Sequence, residues 1–175
     1  MRIEKTDPHV ANSVKSYRDI GYTFEIAIAD IIDNSISAKS SSISIIAAES
    51  PKMFVGILDN GGGMNDDELK EAMRLSTKDP DMQRDEDDLG KFGLGLKTAS
   101  FSHCKKLTVA SKSKNNKIYV KQWDIANIIK SNSWDLNILD ESDVSKLIIE
   151  ADCSDLFDQL NSQDSGTLVL WQKID

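Results

Sequence analysis

The order of the predicted strands and helices constrains the fold of this chain more than any other feature. Alternating or continuous apolar runs predict strands at 42–48, 53–58, 105–111, 117–123 and 167–172. Apolar residues at helical spacing predict helices at 8–19, 22–38, 66–75, 94–102, 124–131 and 154–161. Because strands and helices do not alternate regularly, a parallel doubly wound sheet is disfavoured. The pattern predicts an α/β two-layer sandwich, in which a mixed, mostly antiparallel sheet is covered by helices on one face.

Length and charge restrict the class of protein. The chain has 175 residues, of which 39% are hydrophobic and 29% charged, as in one soluble domain of about 100–200 residues. The formal charge of −8 argues against nucleic-acid binding through bulk charge. The first residues lack an apolar signal-peptide core, and no stretch approaches the ~18 apolar residues of a membrane span. We therefore expect a cytoplasmic protein without a membrane partner. Cys104 and Cys153 lack metal-ligand spacing.

A polar face on the helix at 22–38 is the first candidate site. At about 100° per residue, five side chains share this face: Asp30, Asp33, Asn34, Ser37 and Ala38. A carboxylate can hold a water molecule, and an amide oxygen is a hard ligand suited to Mg²⁺. A solvated helix surface explains the same pattern, so this segment alone does not establish a metal site.

The second candidate site is LDNGGGM at 58–64, where a strand runs directly into an acid and three glycines. Glycine lets the backbone turn sharply and lets a flat ligand approach it closely. Asp59, at the end of the strand, can accept a hydrogen bond from an exocyclic amine. A plain turn is the alternative interpretation of these residues.

A third segment, GKFGLGLKTAS at 90–100, places glycines before a predicted helix. Free N–H groups at a helix N-terminus can bind phosphate, helped by the helix dipole. The segment is not a Walker A loop, because Lys97 and Thr98 follow Leu96 rather than glycine. It also differs from the dinucleotide fingerprint, since its glycines are spaced G-x-x-G-x-G. Phosphate binding is thus predicted because the glycines lie directly before a helix. Neither of the two known phosphate-binding motifs is present in this segment.

Taken in order, the three segments resemble the ATP-binding domain of the GHKL superfamily, also called the Bergerat fold. This family includes gyrase B, the ninety-kilodalton heat-shock chaperone, histidine kinases, MutL and MORC ATPases. The resemblance runs from about Tyr22 to Trp171, and a fourth segment, SGTLVLW at 165–171, resembles the late Gly-Thr strand of the family. It implies one ATP-binding domain over residues 1–175, with ATP and Mg²⁺ as cofactors.

The resemblance also implies roles for individual residues. Asp30 stands at the position of the acid that activates the attacking water, and Asn34 at the position of the Mg²⁺ ligand. Asp59 stands where the family binds the adenine amino group, and Thr167 where a threonine assists through water. An ATP lid is implied at about 76–92. The other implied nucleotide-contacting positions are Asp33, Ala38, Gly61, Gly63, Met64, Ser76, Thr77, Lys78, Gly90, Lys91, Phe92, Gly93, Leu94, Gly95, Leu96 and Lys97.

These roles imply a domain that binds ATP-Mg and hydrolyses it slowly, as the ATPase module of a MutL-, MORC- or chaperone-like protein. Several relatives have glutamate where this chain has Asp30, and the shorter side chain puts fast hydrolysis in doubt. From the resemblance we also expect an N-terminal module of a longer protein and an ATP-driven conformational change or homodimerisation. The resemblance further implies that a downstream transducer domain or a protein partner takes part in the ATP cycle.

Two other classes of function stay open. A histidine-kinase-type domain would transfer phosphate to a histidine, although no phosphoacceptor helix pair precedes the motifs. A non-catalytic, nucleotide-dependent switch would bind ATP and dimerise without hydrolysis. DNA is a further candidate partner, because residues 105–121 contain six lysines. These lysines form either a phosphate-binding patch or the solvated face of a hairpin.

Overall fold

The structure is a computed structural model that describes residues 3, 4, 6, 8–19, 21–49, 52–75 and 95–174. In this part of the chain the strands are β1 (Ile43–Ala48), β2 (Phe54–Asp59), β3 (Cys104–Lys112), β4 (Tyr119–Asp124), β5 (Asn137–Leu139) and β6 (Gly166–Ile174). They form one sheet in the order β1-β2-β6-β3-β4-β5, and each neighbouring pair is antiparallel. The last strand in the sequence therefore lies inside the sheet, between β2 and β3.

The described residues also form helices on both sides of this sheet. They are α1 (Val10–Arg18), α2 (Phe24–Ser37), α3 (Asp66–Met73), α4 (Gly95–His103), α5 (Ile125–Ser131), α6 (Glu141–Ala151) and α7 (Ser154–Ser162). No helix in the described ranges has both the length and the apolar character needed to cross a membrane.

Side-chain caps fix the starts of α2 and α3. The Thr23 hydroxyl accepts the backbone N–H of Ile26 at the start of α2. Asn65 begins α3 in a capping box with Glu68. Because the first N–H groups of a helix have no partner within it, these caps determine where each helix begins.

Helices α1–α5 cover one face of the sheet. Ile31 of α2 and Phe101 of α4 are fully buried in the same core as Ile57 of β2 and Trp171 of β6. The indole Nε1 of Trp171 donates to the Ser100 hydroxyl at 2.8 Å, so this large core side chain has its polar atom satisfied. The predicted α/β architecture on an antiparallel sheet is confirmed.

The opposite face is covered as well, by α6 and α7, and this corrects the prediction of helices on one face only. Leu147 of α6 and Leu156 of α7 share a second core with Leu168 and Leu170 of β6. Every residue of β2 is buried, and so is β6 as far as Gln172. Both faces of these inner strands are therefore shielded from solvent by helices. The continuous apolar run of such strands is the sequence signal for a second layer.

Every predicted helix and strand is present, with its ends within two residues of the prediction. Two elements were not predicted, β5 and α6. β5 has three residues, too few for an alternating pattern to be visible. The signal for α6 is stronger, because Asp140 caps it by accepting the N–H groups of Ser142 and Asp143.

Candidate functional site

The carboxylate of Asp59, at the end of β2, is the centre of the candidate site. Its Oδ1 accepts the backbone N–H of Gly61 at 2.8 Å, and its Oδ2 accepts the Ser35 hydroxyl at 2.9 Å. Burial raises the pKa of Asp59, while hydrogen bonds from Gly61, Ser35 and the Thr167 backbone oppose that rise. Among the described residues no cation pairs with Asp59. Its remaining lone pairs can therefore accept a hydrogen bond from a ligand.

The turn after Asp59 packs tightly against the protein through its glycines. A Cβ at Gly61 would lie 2.8 Å from both the Cβ and the carbonyl oxygen of Ala38, at the end of α2. Gly63 has a φ of +64°, and a Cβ there would overlap the carbonyl oxygen of Lys112. Packing within the protein thus requires these two glycines, whereas the sequence pointed to close approach by a ligand.

A short chain of hydrogen bonds joins Thr167 to Met64. Thr167 of β6 is the register partner of Asp59 of β2. The Thr167 hydroxyl lies 2.8 Å from the Ser111 hydroxyl on β3, and Ser111 also accepts the backbone N–H of Met64 at 2.9 Å. The structure therefore brings together three predicted residues, Asp59, Met64 and Thr167, and adds Ser111, which was not predicted.

Asp30, Asp33 and Asn34 lie along the predicted polar face of α2. The Nδ2 of Asn34 donates to the backbone carbonyl of Asp30 at 2.8 Å, which leaves Oδ1 as the atom that can contact a cation. Burial, and to a smaller extent the charge of Asp33, raise the pKa of Asp30. These hard oxygen atoms fit Mg²⁺. Within the described ranges no three acidic, histidine or cysteine side chains cluster to hold a metal, so ligand oxygens would have to complete the coordination.

Ser35 links the two parts of the candidate site, because it follows Asn34 in α2 and donates to Asp59. It was not among the predicted residues. Ala27, Ile31 and Ser35 are the buried residues of α2, and they are spaced four apart. A polar side chain at a core position of an amphipathic helix is the sequence signal that points to Ser35.

The N-terminus of α4 carries three further predicted residues. The helix begins at Gly95, and Leu96 packs against the main core. Lys97 is buried, and its Nζ donates to the backbone carbonyl of Ala72 in α3 at 3.0 Å. Lys97 therefore connects α4 to α3, while its contact with phosphate stays a prediction.

The predicted lid at about 76–92 lies outside the described residues. The same is true of eight predicted nucleotide-contacting positions: Ser76, Thr77, Lys78, Gly90, Lys91, Phe92, Gly93 and Leu94. Their roles stay predictions.

The lysines between 105 and 121 differ in their surroundings. The Nζ of Lys106 lies 3.5 Å from Oδ2 of Asp124, and Lys121 is buried and forms an ion pair with Asp66. Lys112 donates to two backbone carbonyls at the end of α7. These contacts within the protein leave fewer lysines to bind the phosphates of a nucleic acid.

The sequence also matches known proteins in two comparisons. Residues 22–167 match the family described as histidine kinase-, DNA gyrase B-, and HSP90-like ATPase. A stretch of 90 residues, half of this chain, is 38% identical to the MutL protein homolog 1 of Schizosaccharomyces pombe. The match covers 13% of that relative's length, so the chain corresponds to a small part of it.

Proposed function

Because the chain belongs to the histidine kinase-, DNA gyrase B-, and HSP90-like ATPase family, we propose that it binds ATP with Mg²⁺ and hydrolyses it slowly. The observation that carries the proposal is the state of Asp59. Its carboxylate is buried and held by two hydrogen bonds, and no described cation pairs with it. Such a carboxylate can accept a hydrogen bond from an amino group, and adenine presents one.

Asp59 and Thr167 would together recognise the edge of adenine. The adenine amino group donates to Asp59 in a charge-assisted hydrogen bond worth about 1.5–3 kcal/mol. A guanine would place a carbonyl oxygen there, and an acceptor facing a buried carboxylate is unfavourable. Thr167, the register partner of Asp59, supplies a second polar group. The site would therefore select adenine over guanine.

Asn34 is the residue that we propose holds Mg²⁺, through its Oδ1. The bound ion would screen the negative charge of the phosphates. The first N–H groups of α4, from Gly95 onward, would face the phosphates as at other helix N-termini that bind anions. Ala38, Gly61, Gly63 and Met64 would form the wall beside the base.

Asp30 would orient and deprotonate the attacking water. The water oxygen bonds to the γ-phosphorus as the bond from that phosphorus to the bridging oxygen breaks, the water proton passes to Asp30, and ADP and phosphate leave. A raised pKa suits a group that must accept a proton near neutral pH. Aspartate is shorter than the glutamate of several relatives, and a shift of ~1 Å can cost about 100-fold in rate. This supports slow turnover.

We propose that the domain acts within a longer protein of MutL type, since the relative that it matches is much longer than this chain. ATP would then drive a conformational change or homodimerisation, with a transducer domain or a protein partner to complete the cycle. Two other outcomes are distinguishable by measurement. A phosphotransfer domain would label a supplied histidine partner without releasing phosphate, and a switch would dimerise with ATP without turnover.

The test is calorimetric titration of the parent and Asp59→Asn with a non-hydrolysable ATP analogue, with and without Mg²⁺. Because a charge-assisted hydrogen bond is lost, the variant should bind about 10- to 150-fold more weakly. Asp124→Asn is the matched control, because Asp124 is also a buried carboxylate at a strand end but caps α5. Its affinity should equal that of the parent. No binding by the parent, or equal affinities of the parent and Asp59→Asn, would contradict the proposal.

A further inference from the structure

The Ser111 hydroxyl lies within hydrogen-bond distance of three polar groups but has only one proton to donate. Ser111 is fully buried on β3, and its Oγ accepts the backbone N–H of Met64 at 2.9 Å. The same oxygen lies 3.1 Å from the carbonyl oxygen of Gly166 and 2.8 Å from the hydroxyl of Thr167. A serine hydroxyl has one proton and two lone pairs. Ser111 can therefore donate to Gly166 or to Thr167, but not to both.

This choice determines what the Thr167 hydroxyl offers to a ligand. When Ser111 donates to Gly166, Thr167 donates to Ser111 and presents only lone pairs. When Ser111 donates to Thr167, the proton of Thr167 is released and can be donated elsewhere. The two arrangements differ in proton positions alone, so no heavy atom has to move.

Thr167 depends on Ser111 for its orientation. Within the described part of the chain, Ser111 is the one hydrogen-bond partner of the Thr167 hydroxyl. A hydroxyl that loses its partner rotates freely, and ordering it again on a ligand costs free energy. A donor chain that runs through two hydroxyls also strengthens the outer hydrogen bond. Ser111 thus affects both the direction and the strength of any bond that Thr167 makes.

We propose that Ser111 is a positioning residue that makes Thr167 a hydrogen-bond donor toward N1 of adenine, the ring nitrogen beside the amino group. This inference rests on the proposed ATP site and deepens it. Asp59 accepts from the amino group, and N1 is an acceptor that needs a donor beside Asp59. Thr167 is the register partner of Asp59 and meets this requirement, directly or through a water that passes the donation on.

The same arrangement disfavours bases of the opposite polarity. Guanine and hypoxanthine carry a carbonyl in place of the amino group and an N–H in place of N1. Thr167 in its donor arrangement cannot accept that N–H well, and Asp59 meets the carbonyl as a second acceptor. Ser111 therefore acts in the same direction as Asp59, although it touches no ligand itself.

The test is a cycle of two ligands and two proteins. ADP and 1-deaza-ADP, in which C–H replaces N1 and the amino group stays, are titrated calorimetrically into the parent and into Ser111→Ala. The parent should bind 1-deaza-ADP about three- to tenfold more weakly than ADP, because one hydrogen bond is lost. In Ser111→Ala the ratio should fall below about twofold. An equal ratio in the two proteins would overturn the inference, because a merely structural serine would weaken both ligands alike.

Four further variants keep this test decisive. Ser100→Ala is the matched control, because Ser100 is also fully buried and accepts from Trp171, and the ratio should stay that of the parent. Thr167→Val should abolish the discrimination, and adding Ser111→Ala to it should change nothing more. Ser111→Cys has a somewhat larger side chain of the same shape that donates weakly, so it should give an intermediate ratio if the alanine variant does not fold.

The two proposals fail in different ways. If the parent does not bind ADP, the proposed function fails and Ser111 has no base to position. If ADP binds and Asp59→Asn weakens it, but the ratio is unchanged in Ser111→Ala, only the role of Ser111 is wrong.

Discussion

Two strand ends in this molecule share a local arrangement but differ in what they do. Asp59 ends β2 and Asp124 ends β4, and they are 5% and 6% exposed. Each carboxylate accepts the backbone N–H of the residue two positions later. Asp124 continues directly into α5, which it caps, and lies 3.5 Å from Lys106. Asp59 is followed by Asn60 and three glycines, and no described cation lies beside it.

The difference shows that burial alone does not identify a binding carboxylate. Asp124 is occupied by the protein, because a helix N-terminus and a lysine take up its charge. Asp59 keeps capacity for a ligand, because the chain turns away from it and no positive charge within the described ranges compensates it. The residues that follow each acid distinguish the two cases. Asp59 is followed by NGGG, which forms a turn, and Asp124 by IANIIK, which forms most of α5.

The largest effect is expected in the turn that follows Asp59. Gly63→Ala places a Cβ against the carbonyl of Lys112 at a positive φ, so it should lower the free energy of unfolding by about 3 kcal/mol or more. Gly62→Ala is the matched control, because its nearest atom, the carbonyl oxygen of Ala38, would be 3.9 Å away. It should cost less than about 1 kcal/mol. Urea unfolding measures both variants. Equal losses of unfolding free energy would mean that the turn can accommodate a Cβ at Gly63.

A smaller effect should separate the two carboxylates themselves. Asp124→Asn should lower the free energy of unfolding by about 1 kcal/mol, because Lys106 loses its charged partner. Asp59→Asn should change it by less than about 0.5 kcal/mol, since asparagine can accept from Gly61 and donate to the Ser35 hydroxyl. The raised pKa of Asp59 also means that its ionised form is disfavoured by folding at neutral pH. Chemical unfolding at pH 7 measures both variants. A greater loss of unfolding free energy in Asp59→Asn than in Asp124→Asn would contradict this prediction.

The smallest effect extends the comparison to Asp30, which has the like charge of Asp33 beside it. Asp33→Asn removes the charge that contributes to the raised pKa of Asp30, while burial, the larger cause, stays. In the proposed mechanism Asp30 acts without its proton, so the acid limb of the pH–rate profile should move to lower pH. Phosphate release across the pH range measures the shift. If the acid limb does not move, the charge of Asp33 has no effect on the pKa of Asp30.

Local patterns were sufficient to predict the described helices and strands except β5 and α6, because caps, apolar periods and glycines act over a few residues. The acidic face of α2 and the strand end at Asp59 were predictable for the same reason. The resemblance to a known family then brought in Thr167, which is distant in sequence from the other residues. The ligands of these residues stay predictions.

What could not be predicted depends on pairing across the sheet. Ser111 ends a predicted strand, and a serine there is equally typical of a turn. Its position beside Thr167 follows only from the register of β3 on β6. Lys121 belongs to a basic run that the sequence could assign to solvent, yet it is buried against Asp66. Such contacts require the tertiary structure, because no short-range pattern specifies which strands become neighbours.

The position of β6 has a consequence for the order in which the molecule forms. Asp59 and Thr167 are more than 100 residues apart in the sequence, yet they are direct partners in the sheet. Pairings at such separation close large loops and form slowly. During synthesis β2 and β3 leave the ribosome well before the strand that joins them. The proposed nucleotide site is therefore complete only after β6 has docked, and a bound nucleotide would draw the folding equilibrium toward the completed sheet.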